Sequence, residues 1–105
     1  MTILVIAEHD NENLKGATLN TVAAAKEIGS DITLLVAGSD TALVISEAQQ
    51  LNGITKILSC DNDLYKNFLA EELSNLVVSL ASSYSYILAP ATTFGKNLLP
   101  RVSAK

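Results

Sequence analysis

Residues 2–38 read TILVIAEHDNENLKGATLNTVAAAKEIGSDITLLVAG. The stretch opens and closes on short apolar runs, Ile3 to Ala7 and Ile32 to Ala37, both rich in β-branched residues. Neither run alternates polar with apolar. Unbroken apolar runs of this length are how strands buried on both faces read. Between them the period changes. At 100° per residue, Leu14, Ala17, Thr18, Thr21, Val22, Ala25 and Ile28 share one face, with Lys15, Asn20, Lys26 and Glu27 on the other. The spacing predicts a helix from about Leu14 to Ile28, stopped at Gly29. Its inner face is made mostly of small residues, so it can lie close to a sheet. Strand, helix, strand in this order is a parallel unit with a right-handed crossover.

The same alternation continues outward. Further strands are predicted at Ile54 to Ser59 and Tyr86 to Ala89. A second helix should follow the cap residues Ser39 and Asp40 and end before Gly53, with Ala42, Leu43, Ile45, Ala48 and Leu51 inward. A third, from about Leu64 to Tyr84, carries the stripe Leu69, Leu73, Leu76, Val77, Leu80 and Tyr84. A fourth runs from near Thr93 toward Lys105 with Leu98, Leu99 and Val102 inward. Pro100 falls inside it, so that helix either starts late, near Leu99, or carries a kink. The fold expected is α/β: a three-layer parallel sheet of about four strands, order 3-2-1-4, with helices on both faces. Four strands and a closing helix make an incomplete doubly wound sheet, one partial domain over residues 1–105.

Composition narrows the function classes. The 105 residues are 49% hydrophobic and 17% charged, with a net charge of −4; mean hydropathy is +0.31. That excludes a disordered chain. No apolar run reaches the roughly 18 residues a spanning helix needs. An acidic chain without a basic block is poorly suited to nucleic acid or anionic lipid. Cys60 is the single cysteine, so an internal disulfide framework and a cysteine-rich zinc site are excluded. The start MTILVIAEHD has neither a basic n-region nor an Arg- and Ser-rich amphipathic stretch. A bacterial cytoplasm is the expected location, or the mitochondrial matrix for a processed chain.

In an open parallel sheet ligands bind beyond the carboxyl ends of the strands, where the strand order reverses. In the order 3-2-1-4 that point lies between strands 1 and 4. His9 and the loop at Thr92 and Thr93 should then face one crevice. Two threonine hydroxyls, backbone N–H groups and Lys96 at a helix start suit an anion; equally, Thr92 or Thr93 can simply cap the helix. Gly95-Lys96 is followed by Asn97, so the loop is not a phosphate-binding P-loop. Glu8-His9-Asp10 invites a metal or acid–base reading, but a second histidine is lacking. Asp61-Asn62-Asp63 reads as loop and helix cap rather than a calcium loop. Cys60, beside Asp61, reads as a half-buried structural thiol. The turn from His9 to Leu14 holds no glycine, which argues against a dinucleotide fingerprint. A catalytic set does not assemble, and a metal site is not expected.

A resemblance adds to this. Thr2-Ile3-Leu4-Val5-Ile6-Ala7-Glu8-His9, Leu14-Lys15, Ala17 to Ala25, Val36-Ala37-Gly38 and the run LAPATTFGKN (Leu88 to Asn97), followed by Pro100-Arg101, together resemble the N-terminal domain of the electron transfer flavoprotein alpha subunit. The match spans the chain in order, and LAPATTFGKN is its specific part. The resemblance implies a fold like the adenine-nucleotide alpha hydrolases. It implies an alpha–beta heterodimer with one FAD, and an AMP in the beta subunit. It implies electrons taken from flavin dehydrogenases such as acyl-CoA dehydrogenases and passed to a quinone oxidoreductase. This segment corresponds to about the first third of such a subunit, is structural and subunit-contacting, and lacks the FAD-binding half. No flavin-contacting residue carries over to any position here. The alternative is a free-standing module of the same fold that binds a small nucleotide at Thr92, Thr93 and Lys96. A further expectation is physical: strand 4, Tyr86 to Ala89, is an open sheet edge and should favour self-association.

Overall fold

The computed structural model describes residues 2–10, 13–62, 70–90, 92, 95–96 and 98–100. β1 is Thr2–Ile6, α1 Gly16–Ile28, β2 Asp31–Gly38, α2 Ala42–Ala48, β3 Lys56–Asp61, α3 Ala70–Ala81 and β4 Tyr86–Leu88. The strands form one four-stranded sheet in the order β3-β2-β1-β4, and each neighbouring pair is parallel. The expected fold class and strand order hold.

The unbroken apolar runs lie at the centre, as their composition demands. From Ile32 to Gly38 every residue of β2 is buried. Alternate side chains go to opposite faces. Ile3, Val5, Ile32, Leu34 and Val36 meet Val22 and Ala25 of α1 and Val44 and Ala48 of α2. Leu4, Ile6, Leu35 and Ala37 meet Leu73 and Val77 of α3, together with Leu98. Helices therefore cover both faces. Leu73, Leu76, Val77 and Leu80 of the α3 stripe pack on the second core as expected, and Tyr84 packs there from beyond the helix end at Ala81 rather than on the helix; residues 63–69, including Leu69 and Asp63, lie outside the described residues.

Several boundaries differ from expectation. α1 starts at Gly16 rather than Leu14, because the chain first turns back on itself. His9 and Leu14 form an antiparallel bridge, and the Lys15 N–H donates to the Glu8 carbonyl at 2.8 Å. Ile28, at the far end of α1, is 39% exposed. α2 stops at Ala48, well before Gly53. Its inward residues are Val44 and Ala48, one turn apart, while Ala42 is exposed and Leu43 is 63% exposed. Ile45 and Leu51 pack half-buried against the core. After α2 the chain returns at Gly53, whose φ of +91° needs glycine and whose α-carbon lies against the Lys26 side-chain stem.

β3 is shifted by two residues, to Lys56–Asp61. Thr55 instead seals the strand start, its N–H donating to the Ile32 carbonyl at 2.8 Å. β4 is three residues long, and Ala89 follows it, packed half-buried against the second core. The fourth helix starts early. Residues 95, 96 and 98–100 are helical, and the Lys96 N–H donates to the Thr92 carbonyl at 2.9 Å. A start near Leu99 is thus not what forms. Val102 lies outside the described residues.

Candidate functional site at the sheet switch point

β1 and β4 are neighbours although they are first and last in the described chain, so the order reverses between them. Their carboxyl ends bring Glu8 and Thr92 together. The Thr92 hydroxyl donates to Glu8 Oε1 at 3.1 Å. The Glu8 backbone is itself clamped by Thr18 on α1. The Glu8 N–H donates to Thr18 Oγ1 at 2.8 Å, and the Thr18 hydroxyl donates to the Glu8 carbonyl at 2.9 Å. Thr18 is fully buried. A small polar residue at this inward helix position is therefore not a packing compromise; it satisfies the strand end where the ladder stops.

His9 lies elsewhere. It is 3% exposed, and Nε2 is 2.8 Å from the Ala37 carbonyl at the end of β2, so the ring donates there and points to the side of β1 away from β4. Burial lowers its pKa from the ordinary 6.5; the Ala37 bond and the nearby Asp10 charge oppose that in part. The expected crevice containing His9 is thus corrected. Successive residues on β1's exit point to opposite sides, and Glu8 is the one that meets β4's loop.

The Thr92 carbonyl accepts the Lys96 N–H at the entry to the fourth helix. Lys96 is exposed. Thr93 lies outside the described residues, as do Ala91, Phe94 and Asn97. Gly95 is fixed by close approach: a Cβ there would run into the Pro90 carbonyl oxygen. Gly95 thus lies directly against the Pro90 backbone.

A second cluster closes the ends of β2 and β3. Asp61 Oδ1 accepts the Asp40 N–H at 2.8 Å, and Oδ2 accepts the Thr41 N–H at 3.1 Å and its hydroxyl at 3.4 Å. These bonds hold the Asp61 carboxyl below its ordinary 3.8. They also fix Asp40 at a φ of +57°. The acidic triplet does contain a cap, but it caps the entry to α2 from a neighbouring strand. Glu47 plays a like part, its Oε1 accepting the Leu14 N–H at 2.8 Å and tying the first loop to α2. Cys60 is half-buried against the second core. Among the described residues, no group of three or more His, Cys, Asp or Glu is placed to hold a metal ion.

Sequence reasoning named Thr92, placed Glu8 in a metal or acid–base candidate and Thr18 on the inner face of the first helix, but did not pair them. A threonine at an inward position of the first helix was the available signal.

A family model described as the electron transfer flavoprotein domain matches residues 3–105. The chain belongs to this family. It is 55% identical over 104 residues to the electron transfer flavoprotein subunit alpha of Pseudomonas aeruginosa, covering 99% of this chain and 34% of that protein. It is 43% identical over 105 residues to the subunit alpha of Paracoccus denitrificans, covering 99% and 34%. It is 42% identical over 111 residues to the mitochondrial subunit alpha of Dictyostelium discoideum, covering 98% and 31%. The chain thus spans about a third of the length of these relatives.

At the switch point, the described residues do not fit the pyrophosphate of a flavin dinucleotide. That group needs converging N–H donors or cations. The switch point instead presents the Glu8 carboxylate, with the Thr92 hydroxyl already turned to it. The same carboxylate disfavours a free phosphate there.

Proposed function

We propose that this chain is the structural, subunit-contacting part of an electron-carrying flavoprotein. In this reading the assembled carrier takes electrons from flavin dehydrogenases such as acyl-CoA dehydrogenases and passes them to a quinone oxidoreductase. An FAD is held by residues other than these, and an AMP by the partner beta subunit. The chain itself is not an enzyme. It works in the bacterial cytoplasm, or the mitochondrial matrix for a mitochondrial member; no described helix is long and apolar enough to cross a membrane.

The observation that carries the reading is the hydrogen-bonded set Glu8, Thr18 and Thr92 at the switch point. Where a nucleotide-binding relative of this architecture would keep a crevice open, Glu8, Thr18 and Thr92 satisfy one another. A polar network that is internally satisfied supports a fold and leaves little to offer a ligand. Match along residues 3–105 supports the same assignment.

The test is spectroscopic. The purified 105-residue chain should show no flavin absorbance in the visible range, with or without added FAD after desalting. It should be retained by an immobilised beta subunit of the same organism. A flavin band that survives desalting refutes the division of labour proposed, and failure to be retained refutes the subunit-contacting role.

A further inference from the structure

Asn52 and Gly53 sit in the turn between α2 and β3. Of the eight asparagines in the chain, Asn52 is the one followed by glycine. Both turn residues are exposed. Gly53 has a φ of +91°, a conformation that residues with a Cβ avoid. The chain is tied down again just beyond it. The Thr55 N–H donates to the Ile32 carbonyl at 2.8 Å, and the Thr55 hydroxyl donates to the Ser30 carbonyl at 3.1 Å. Among the described residues, neither the Asn52 carboxamide nor the Gly53 N–H takes part in a hydrogen bond.

We propose that Asn52 is a site of spontaneous deamidation, with hydroxide ion and water as the reactants. The Gly53 amide gives its proton to hydroxide, and its nitrogen attacks the Asn52 side-chain carbon Cγ. An N–Cγ bond forms, the Cγ–Nδ2 bond breaks, and Nδ2 leaves as ammonia after taking a proton from water. The product is a five-membered succinimide. Water then adds to one of its two carbonyl carbons. Opening on one side gives aspartate. Opening on the other gives isoaspartate, in which the main chain runs through Cγ and is one carbon longer. Nothing is oxidised or reduced.

The turn's own chemistry favours this reaction. Glycine brings no Cβ against the approaching side chain, and its backbone turns freely toward Cγ. Neither reacting group has a hydrogen bond to give up. The close neighbour of the Gly53 α-carbon is the stem of Lys26, a flexible side chain at an exposed helix position that can rotate aside. Other asparagines are placed differently. Asn20 and Asn75 lie inside α1 and α3, where the N–H groups of Thr21 and Leu76 are held in the helical ladder. Asn13 precedes Leu14, whose N–H is bonded to Glu47 at 2.8 Å. Either product at Asn52 adds one negative charge between α2 and β3, taking the chain from −4 to −5. This inference stands apart from the electron-carrier reading.

Incubation of the folded 105-residue chain at 37 °C and pH 8, followed by ion exchange, intact mass and peptide mapping, tests it. The expected result is a progressive acidic shift, with aspartate and isoaspartate appearing at position 52 while Asn13, Asn20 and Asn75 stay intact. The rate should rise from pH 6 to pH 9, because the attacking species is the deprotonated amide. It should be of the same order as in a free peptide of residues 49–55, because the fold leaves the turn unrestrained. Asn52→Gln, whose longer side chain must close a six-membered ring, should remove the early acidic shift. Position 52 is exposed, so that variant should keep the parent's melting temperature. A folded chain that keeps Asn52 intact while the free peptide converts overturns the proposal. So does an acidic shift that is as fast in Asn52→Gln, or one that maps first to another asparagine. A rate that does not change with pH overturns the succinimide route.

Discussion

Gly95 sits where two backbones touch. A side chain there meets the Pro90 carbonyl oxygen and carbon, which cannot swing aside as a flexible side chain can. Overpacking against a fixed backbone costs about 1–3 kcal/mol. Gly95→Ala should therefore lower the urea midpoint by an amount equal to about that loss, with the slope unchanged. Lys96→Ala, one residue on and exposed, should leave the midpoint within about 0.5 kcal/mol of the parent. The pair separates a glycine required by close approach from one that merely sits at a helix start. In the sequence, Gly95-Lys96 draws the eye as a fragment of a phosphate loop. In the structure, the glycine is there for contact with Pro90, and Thr92 is turned to Glu8.

At the scale of elements, α2 shows how little a short helix decides for itself. It has seven residues and two apolar choices for its inner face. Periodicity alone favours Leu43 as readily as Val44. The sheet chooses, since Val44 and Ala48 lie over Ile32, Leu34 and Val36. Val44→Ala should cost about 2 kcal/mol through lost burial and the cavity left behind. Leu43→Ala should change stability by no more than about 0.5 kcal/mol, although it removes the larger side chain. Chemical denaturation of the two variants distinguishes them; equal losses would place the helix in the other rotation. Asp61 is the second constraint on α2. It holds the entry through Asp40 and Thr41 from a strand that follows the helix in sequence, so no local capping pattern could announce it.

Across the whole molecule, two perturbed groups among the described residues act in the same direction. His9 and Asp61 both have folded pKa values below their ordinary 6.5 and 3.8. In each case the unfolded chain binds a proton that the folded chain resists, so stability rises with pH across each window. Stability should be fully developed above about pH 6.5. It should fall first as pH drops from there through the lowered His9 value, and again as pH drops below the carboxylate range through the lowered Asp61 value. Denaturation midpoints measured from pH 8 to pH 3 should show two descending steps. His9→Gln should flatten the upper step and leave the lower. A parent whose stability is constant between pH 7 and pH 5 would contradict the buried, neutral His9.

The chain itself determined the architecture, because the information is local. Apolar runs at Ile3 to Ala7 and Ile32 to Ala37 can only be strands covered twice, and the periodic segments between them can only be crossover helices. From those, parallel order and layer number follow by steric handedness. The run from Leu88 to Asn97 also carried the family. Tertiary structure alone decided the site. Which of Glu8 and His9 meets the β4 loop depends on the pleat at the end of β1. Thr18 clamps Glu8 across a ten-residue excursion, and Thr92 joins Glu8 across 84 residues. Contacts between residues so far apart in the chain leave no periodicity and no spacing to read. They exist because the sheet brings distant strand ends side by side, and unsatisfied polar groups there must find partners among whatever lies within reach.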